Sequence, residues 1–330
     1  MVSNQLYVGK TPWHGAGRKI DAGQTVVESL SQDRILSSTI DKSPVMAGAD
    51  DGSFVDCPGH FALMRRADKR IVGYCGDGYT ISQHLDLGAF ADSIAAQYGL
   101  TFEIAGTLRR GSQFVLQAKV GNPEVVAELA DGRGDSVQFY LTLGTAHDGV
   151  KPTEFGFATY RAECANMTAA AMAEVRTGKR GVRYFAIRHN GDLQAKLAEA
   201  GKALREGFQA WGDFLTFARK AATTTKPQTD FADFAQAIFA DPEGDKNPAR
   251  AQAKRDDLFS LFTKGQGNQG RTAWDAYNAV TEWTNYSAPT RGATTDNDRT
   301  LSRINSTLYG TGAEMAVEAE SLLRVYVSAN

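Results

Sequence analysis

Between Val175 and His189 the chain carries Arg176, Lys179, Arg180, Arg183 and Arg188 and no acid. Cations concentrated in this way set up a positive field that draws polyanions. Guanidinium and ammonium groups beside a sheet neutralise backbone phosphates and release their counterions, so the leading expectation is a nucleic-acid-binding protein. A solvated charged loop has a similar composition; the missing acids favour the polyanion. Arg161, on the strand-like run that precedes the segment, and Arg109, Arg110 and Lys119, on an earlier hairpin, extend the candidate phosphate-binding set. Tyr184 and Phe185, flanked by arginines, are candidate platforms for unpaired bases, each stacked base contributing on the order of 1–3 kcal/mol. Tyr140 and Tyr160 have the same chemistry, although such aromatics more often fill cores.

Other chemistry is weaker in the sequence. Cys57-Pro-Gly-His60 resembles half a zinc site, but His14, Cys75, His84 and Cys164 supply no matching second pair, so no metal is expected. Trp13-His14 has no accompanying nucleophile signature. Gly178-Lys179 is not a phosphate-binding loop, since Ala173 stands where the first glycine belongs and Arg180 where Ser or Thr belongs. Asp131, Asp135 and Asp148 lie in turn-like contexts; they can hold magnesium as a nuclease would, or form turns. No catalytic residue and no cofactor is assigned.

The elements that must position these residues follow from periodicity. Residues 1–45 read as an N-terminal arm with a short helix near Val26 to Leu30. Residues 46–190 read as an α+β sheet core. Within it, His60–Arg65 and Arg70–Tyr74 predict a hairpin, Tyr79–Ile81 a further strand, and Leu85–Tyr98 a helix closed by Gly99. Four strands follow, over Thr101–Leu108, Ser112–Val120, Ser136–His147 and Thr153–Cys164. In the third, Val137, Phe139, Leu141 and Leu143 alternate with Gln138, Tyr140 and Thr142, which predicts one buried face. Asn166 is the expected N-cap of a helix Met167–Val175 lying across the sheet. Residues 191–330 read as a helical C-terminal region: a long amphipathic helix Leu193–Ala222 with Leu204, Phe208, Trp211, Leu215 and Ala218 on one stripe, helices at Phe231–Phe239 and Asp241–Pro248, a flexible loop Gly265–Gly270, a helix Thr272–Tyr286, and one or two helices over Asp296–Val327. There is no internal repeat and no long heptad array.

Composition sets the outer limits. With 330 residues, 42% hydrophobic and 22% charged, the chain can bury one large or two smaller cores, which excludes disorder as its main state. The formal net charge of -2 gives no global electrostatic pull on nucleic acid, so the argument rests on local clustering. Three cysteines, Cys57, Cys75 and Cys164, argue against a disulfide framework. No apolar run of membrane-spanning length and no signal-like start is present, so the expected location is the cytoplasm and no membrane partner is expected.

Three motifs carry a resemblance: Thr11-Pro-Trp-His-Gly15, the Cys164-Ala-Asn166 junction, and Trp274-Asp-Ala-Tyr-Asn-Ala-Val-Thr-Glu-Trp283. With them the chain resembles a phage/plasmid-like family of domains of unknown function, departing from its pattern at Ala16, where Leu is expected, and at Met167, where Thr is expected. The order helix, antiparallel meander, crossing helix is similar at fold level to single-strand annealing proteins, the class containing Erf, Red-beta and the eukaryotic annealing proteins. That similarity implies rings or filaments that hold single-stranded DNA in a basic groove and pair complementary strands without ATP; fold alone does not fix function. The resulting expectation is an α+β protein, an antiparallel β-meander with a helix packed across it followed by a helical C-terminal region. As a homo-oligomer it would bind single-stranded DNA and promote ATP-independent annealing in phage or plasmid recombination and replication. The rivals are a non-enzymatic interaction or structural protein that binds a host protein, and a metal-dependent nuclease.

Overall fold

The computed structural model describes residues 5–7, 18–19, 23–148, 153–161, 167–168, 185–187, 193–240 and 248–330. In chain order they form β1 (Gln5–Tyr7), β2 (Arg18–Lys19), α1 (Val26–Ser31), β3 (Ile40–Gly48), β4 (Phe54–Arg65), β5 (Arg70–Gly76), α2 (His84–Tyr98), β6 (Thr101–Leu108), β7 (Gln113–Glu128), β8 (Gly134–Ala146), β9 (Thr153–Arg161), β10 (Met167–Thr168) and β11 (Phe185–Ile187). The helical region follows as α3 (Leu193–Thr223), α4 (Gln228–Ile238), α5 (Pro248–Lys264), α6 (Ala273–Glu282), α7 (Asp296–Tyr309) and α8 (Thr311–Ala329). The fold class is α+β. An eight-stranded sheet runs β10-β9-β8-β7-β6-β1-β2, with β11 also on β9, and a three-stranded sheet runs β3-β4-β5.

Short polar links make β6 to β9 consecutive neighbours, the meander that the alternation and the short turns predict. Leu108 lies opposite Gln113 and Thr101 opposite Lys119 in the β6–β7 pair. Both faces of β8 are buried, however, from Val137 to Ala146. The polar residues are tolerated inside because they are bonded: Gln138 Nε2 donates to the Phe139 carbonyl at 3.0 Å and Gln117 Nε2 to Thr142 Oγ1 at 2.9 Å.

The chain divides into two compact units, residues 1–120, 141–155 and 185–203 in one, and 121–140, 156–184 and 204–330 in the other. In the first, Thr25 caps α1 in a reciprocal pair with Glu28, while Asp92 of α2 accepts from the Val26 and Val27 amides at 2.6 and 3.1 Å. Gly99 closes α2 at φ +67, as its place after the apolar stripe predicts. Ile40, Leu63 and Val72 form the small core of the three-stranded sheet; Tyr79 and Ile81 pack against it as irregular backbone and not as the expected strand. The β3–β4 hairpin begins within the segment read as an arm and was not expected before His60, because its exposed tip lacks the alternation that marks a half-buried strand.

In the second unit, α3 to α8 gather one core that includes Phe214, Phe217, Phe231, Phe262, Trp274, Tyr277 and Leu323. The stripe of α3 runs through Leu204, Leu215 and Ala218 as read, but Phe208 is 41% exposed while Phe214 and Phe217 are each 4% exposed. Helix α5 was not expected; Pro248 supplies its first turn, where a missing amide costs nothing. Residues 241–247 and most of the anticipated 167–175 helix lie outside the described residues. Met167 and Thr168 themselves are extended, paired with Tyr160 and Thr159 of β9, which corrects the helical expectation there.

Candidate functional site

Arg161 ends β9 and is 3% exposed. Its Nε donates to both oxygens of Asp135, at 2.9 and 3.0 Å, and its Nη2 to Asp135 Oδ2 at 2.7 Å. Nη1 reaches the Gln266 carbonyl at 3.1 Å and Asn268 Oδ1 at 3.0 Å, and Nη2 also reaches the Gly267 carbonyl at 3.3 Å. Trp274 Nε1 completes the node by donating to Asp135 Oδ2 at 2.8 Å. The guanidinium anticipated on a phosphate-binding surface is thus enclosed by protein acceptors, and its role is to fasten the 265–270 loop. That loop, expected to be flexible, is a fixed element. Asp135, a candidate magnesium ligand, spends its carboxylate on the same node, and Asp131 pairs with Arg133 at 2.8 Å.

The other expected cations separate. Arg109 and Arg110 occupy the β6–β7 turn, exposed, with φ of +46 and +59. Lys119 is half-buried at the far end of the same hairpin, six residues beyond Gln113 and therefore roughly 20 Å along the strand. These residues do not form one patch. Arg176, Lys179, Arg180, Arg183, Tyr184 and Arg188 lie outside the described residues. Phe185 opens β11, where its backbone pairs with Phe155. Tyr140, weighed as a stacking platform, is 7% exposed and meets Tyr160 edge-on at 6.2 Å, so its ring is committed to packing.

Residues 72–308 match the family described as a domain of unknown function, DUF932. The chain belongs to DUF932. No curated protein and no solved structure matches it. The DUF932 match takes in the Trp274–Trp283 motif, which becomes α6 and the first residue of the π-helical turn Trp283–Ser287. Every residue of α6 from Ala273 to Thr281 is buried. Thr272 and Asp275 form a capping box, Asp275 also accepts from the Arg271 amide at 3.0 Å, and Asn278 Nδ2 donates to the Trp274 carbonyl at 2.9 Å. Its recognisable residues therefore build the core and the Asp135 node. Thr11–Gly15 and Cys164–Asn166 lie outside the described residues.

Also within the DUF932 match, His84 and His147 are 1% and 0% exposed and meet through Nε2 atoms 3.0 Å apart. The Leu36 carbonyl, 3.0 Å from His84 Nδ1, can only accept, so that nitrogen carries the proton and Nε2 of His84 accepts from His147. Burial, then His147 and Arg65, hold the His84 imidazole down to about 3, so His84 is neutral. Phe114 stacks on His84 at 4.1 Å. Nothing in the local sequence marks this pair, whose members are far apart in the chain.

The β3–β4 hairpin precedes the DUF932 match. All of residues 46–56 are exposed, including Met46 at 53%, Phe54 at 70% and Val55 at 57%. From Ser43 to Met64 there is no Lys or Arg, while Asp50, Asp51 and Asp56 are present. Below the tip, Cys57, His60 and Cys75 line a cleft of 690 Å³ together with Val45, Phe61 and Tyr74. Among the described residues no group of three or more His, Cys, Asp or Glu can hold a metal ion, and burial pushes the Cys75 thiol up.

Proposed function

We propose that this DUF932 protein binds single-stranded DNA as a homo-oligomer and promotes annealing of complementary strands without ATP, in phage or plasmid recombination or replication in the cytoplasm of a bacterial host. The observation that carries the proposal is the acid-free run Val175–His189 with its five Lys and Arg residues. The described strands nearest this run in sequence, β10 and β11, both pair with β9. The meander order shared with single-strand annealing proteins adds support at fold level only. No catalytic residue or cofactor is required, since phosphates are held while bases remain free to pair.

Fluorescence anisotropy with labelled single- and double-stranded oligonucleotides at two salt concentrations tests it. Replacing Arg176, Lys179, Arg180 and Arg183 with Ala is expected to weaken binding to all sequences alike and to reduce the salt slope by about 3, at roughly 0.7 per single-strand phosphate contact. Absence of binding at low salt overturns the proposal. Strand length after incubation with magnesium or manganese separates annealing from cleavage.

A second reading, a module that binds a host protein, is favoured by the β3–β4 tip. A ribbon of two strands is marginal alone, and one that exposes Met46, Phe54 and Val55 beside three aspartates suits a basic, partly apolar protein surface better than nucleic acid.

A further inference from the structure

Consecutive residues with positive φ in a hairpin turn are ordinarily Asn, Asp or Gly, because a Cβ is crowded there. The β6–β7 turn instead places Arg109 at φ +46 and Arg110 at φ +59 ahead of Gly111 at φ +92. Neither arginine side chain takes part in a hydrogen bond or ion pair among the described residues, and both are exposed. A third guanidinium lies close by: a Cβ on Gly111 would sit 2.6 Å from Arg65 Nη1. Arg65 is 4% exposed and gripped through Nε and Nη2 by Asp68 at 2.9 and 2.8 Å, so its position is fixed while its Nη1 faces the turn. At the same end of the hairpin Gln113 is 2% exposed with neither amide atom bonded. Strain and unsatisfied polar atoms concentrated beside unpaired cations mark a place kept for something other than stability.

We propose that the Arg109–Arg110–Gly111 turn is a phosphate-binding site, with the two exposed guanidiniums as its ligating groups and Arg65 as a positioning residue that fixes the turn from below. A phosphate suits two adjacent planar forks better than a single carboxylate does, since each fork can engage a pair of its oxygens. In its nucleic-acid form the inference rests on the proposed function, to which it adds an ordered contact independent of residues 175–189.

The test is Arg109→Asn with Arg110→Gly, which removes both charges and installs residues suited to this backbone. Its thermal midpoint is expected to rise while the salt slope for single-stranded DNA falls by about 1.4, two contacts at roughly 0.7 each. Lysine at both positions should keep the slope, because the slope counts charges. Wild-type protein that binds DNA with a slope unchanged in the Asn-Gly variant overturns this inference and leaves the proposed function standing. If wild type binds no DNA, the proposed function fails; the turn then stands only if inorganic phosphate or pyrophosphate raises the wild-type midpoint and not that of the variant, and equal shifts overturn it.

Discussion

Asp135→Asn tests whether the buried node holds the second unit together. The wild-type carboxylate receives Arg161 Nη2 at 2.7 Å, Arg161 Nε at 2.9 and 3.0 Å, and Trp274 Nε1 at 2.8 Å, with the two ion-pair side chains 1% and 3% exposed. Asparagine keeps the shape but removes the charge and turns one acceptor into a donor that faces other donors. The guanidinium is then left as an uncompensated buried cation. Removing one partner of such a pair costs about 3–5 kcal/mol, a large share of the roughly 5–15 kcal/mol that stabilises a native protein. Urea unfolding followed by tryptophan fluorescence measures the loss. Asp135→Leu, Arg161→Met and the double variant Asp135→Leu/Arg161→Met complete a cycle, in which an apolar pair should recover at least ~2 kcal/mol relative to the sum of the single losses. A cost below about 1 kcal/mol for Asp135→Asn, or single losses that simply add in the double variant, refutes the reasoning.

Three further outcomes are expected. Because His84 titrates near 6.5 when unfolded and at about 3 when folded, the unfolded state binds more protons between those values. Its contribution is complete above pH 6.5 and is lost as pH falls, by about 2 kcal/mol between pH 7 and pH 5; denaturation at the two pH values should show that difference shrinking in His84→Gln, and an unchanged pH slope would rule the pair out. Gln113→Leu removes two buried, unbonded amide atoms and should raise stability by about 1 kcal/mol, read as a higher thermal midpoint. Gly73→Ala would drive a Cβ into the His147 carbonyl, with its carbon 2.6 Å and Asp148 Cα 3.1 Å away; backbone cannot swing aside as a side chain can, so a loss of ~3 kcal/mol or more in a thermal or urea melt is expected.

What the sequence determined by itself was local. The 3.6-residue stripe of α2 and its glycine cap, the Thr272 start of α6 and the four strands of the meander each follow from neighbours a few residues apart, where backbone geometry dictates periodicity. The acid-free basic run is likewise a property of the chain read in order, as are the three motifs of the family resemblance. Tertiary structure decided what those residues face. Arg161, at the end of β9, and Arg110, in the β6–β7 turn, are the same side chain, yet one meets Asp135 and the 265–270 loop inside the protein and the other meets solvent. The alternation in β8 predicted one polar, solvated face, but Gln138, Tyr140 and Thr142 are buried, because period two says which residues share a face and not what lies against it. The His84–His147 contact and the Trp274–Asp135 bond join positions that no short window contains. Their energies depend on exclusion of water, which a linear pattern does not specify and only the packed chain supplies.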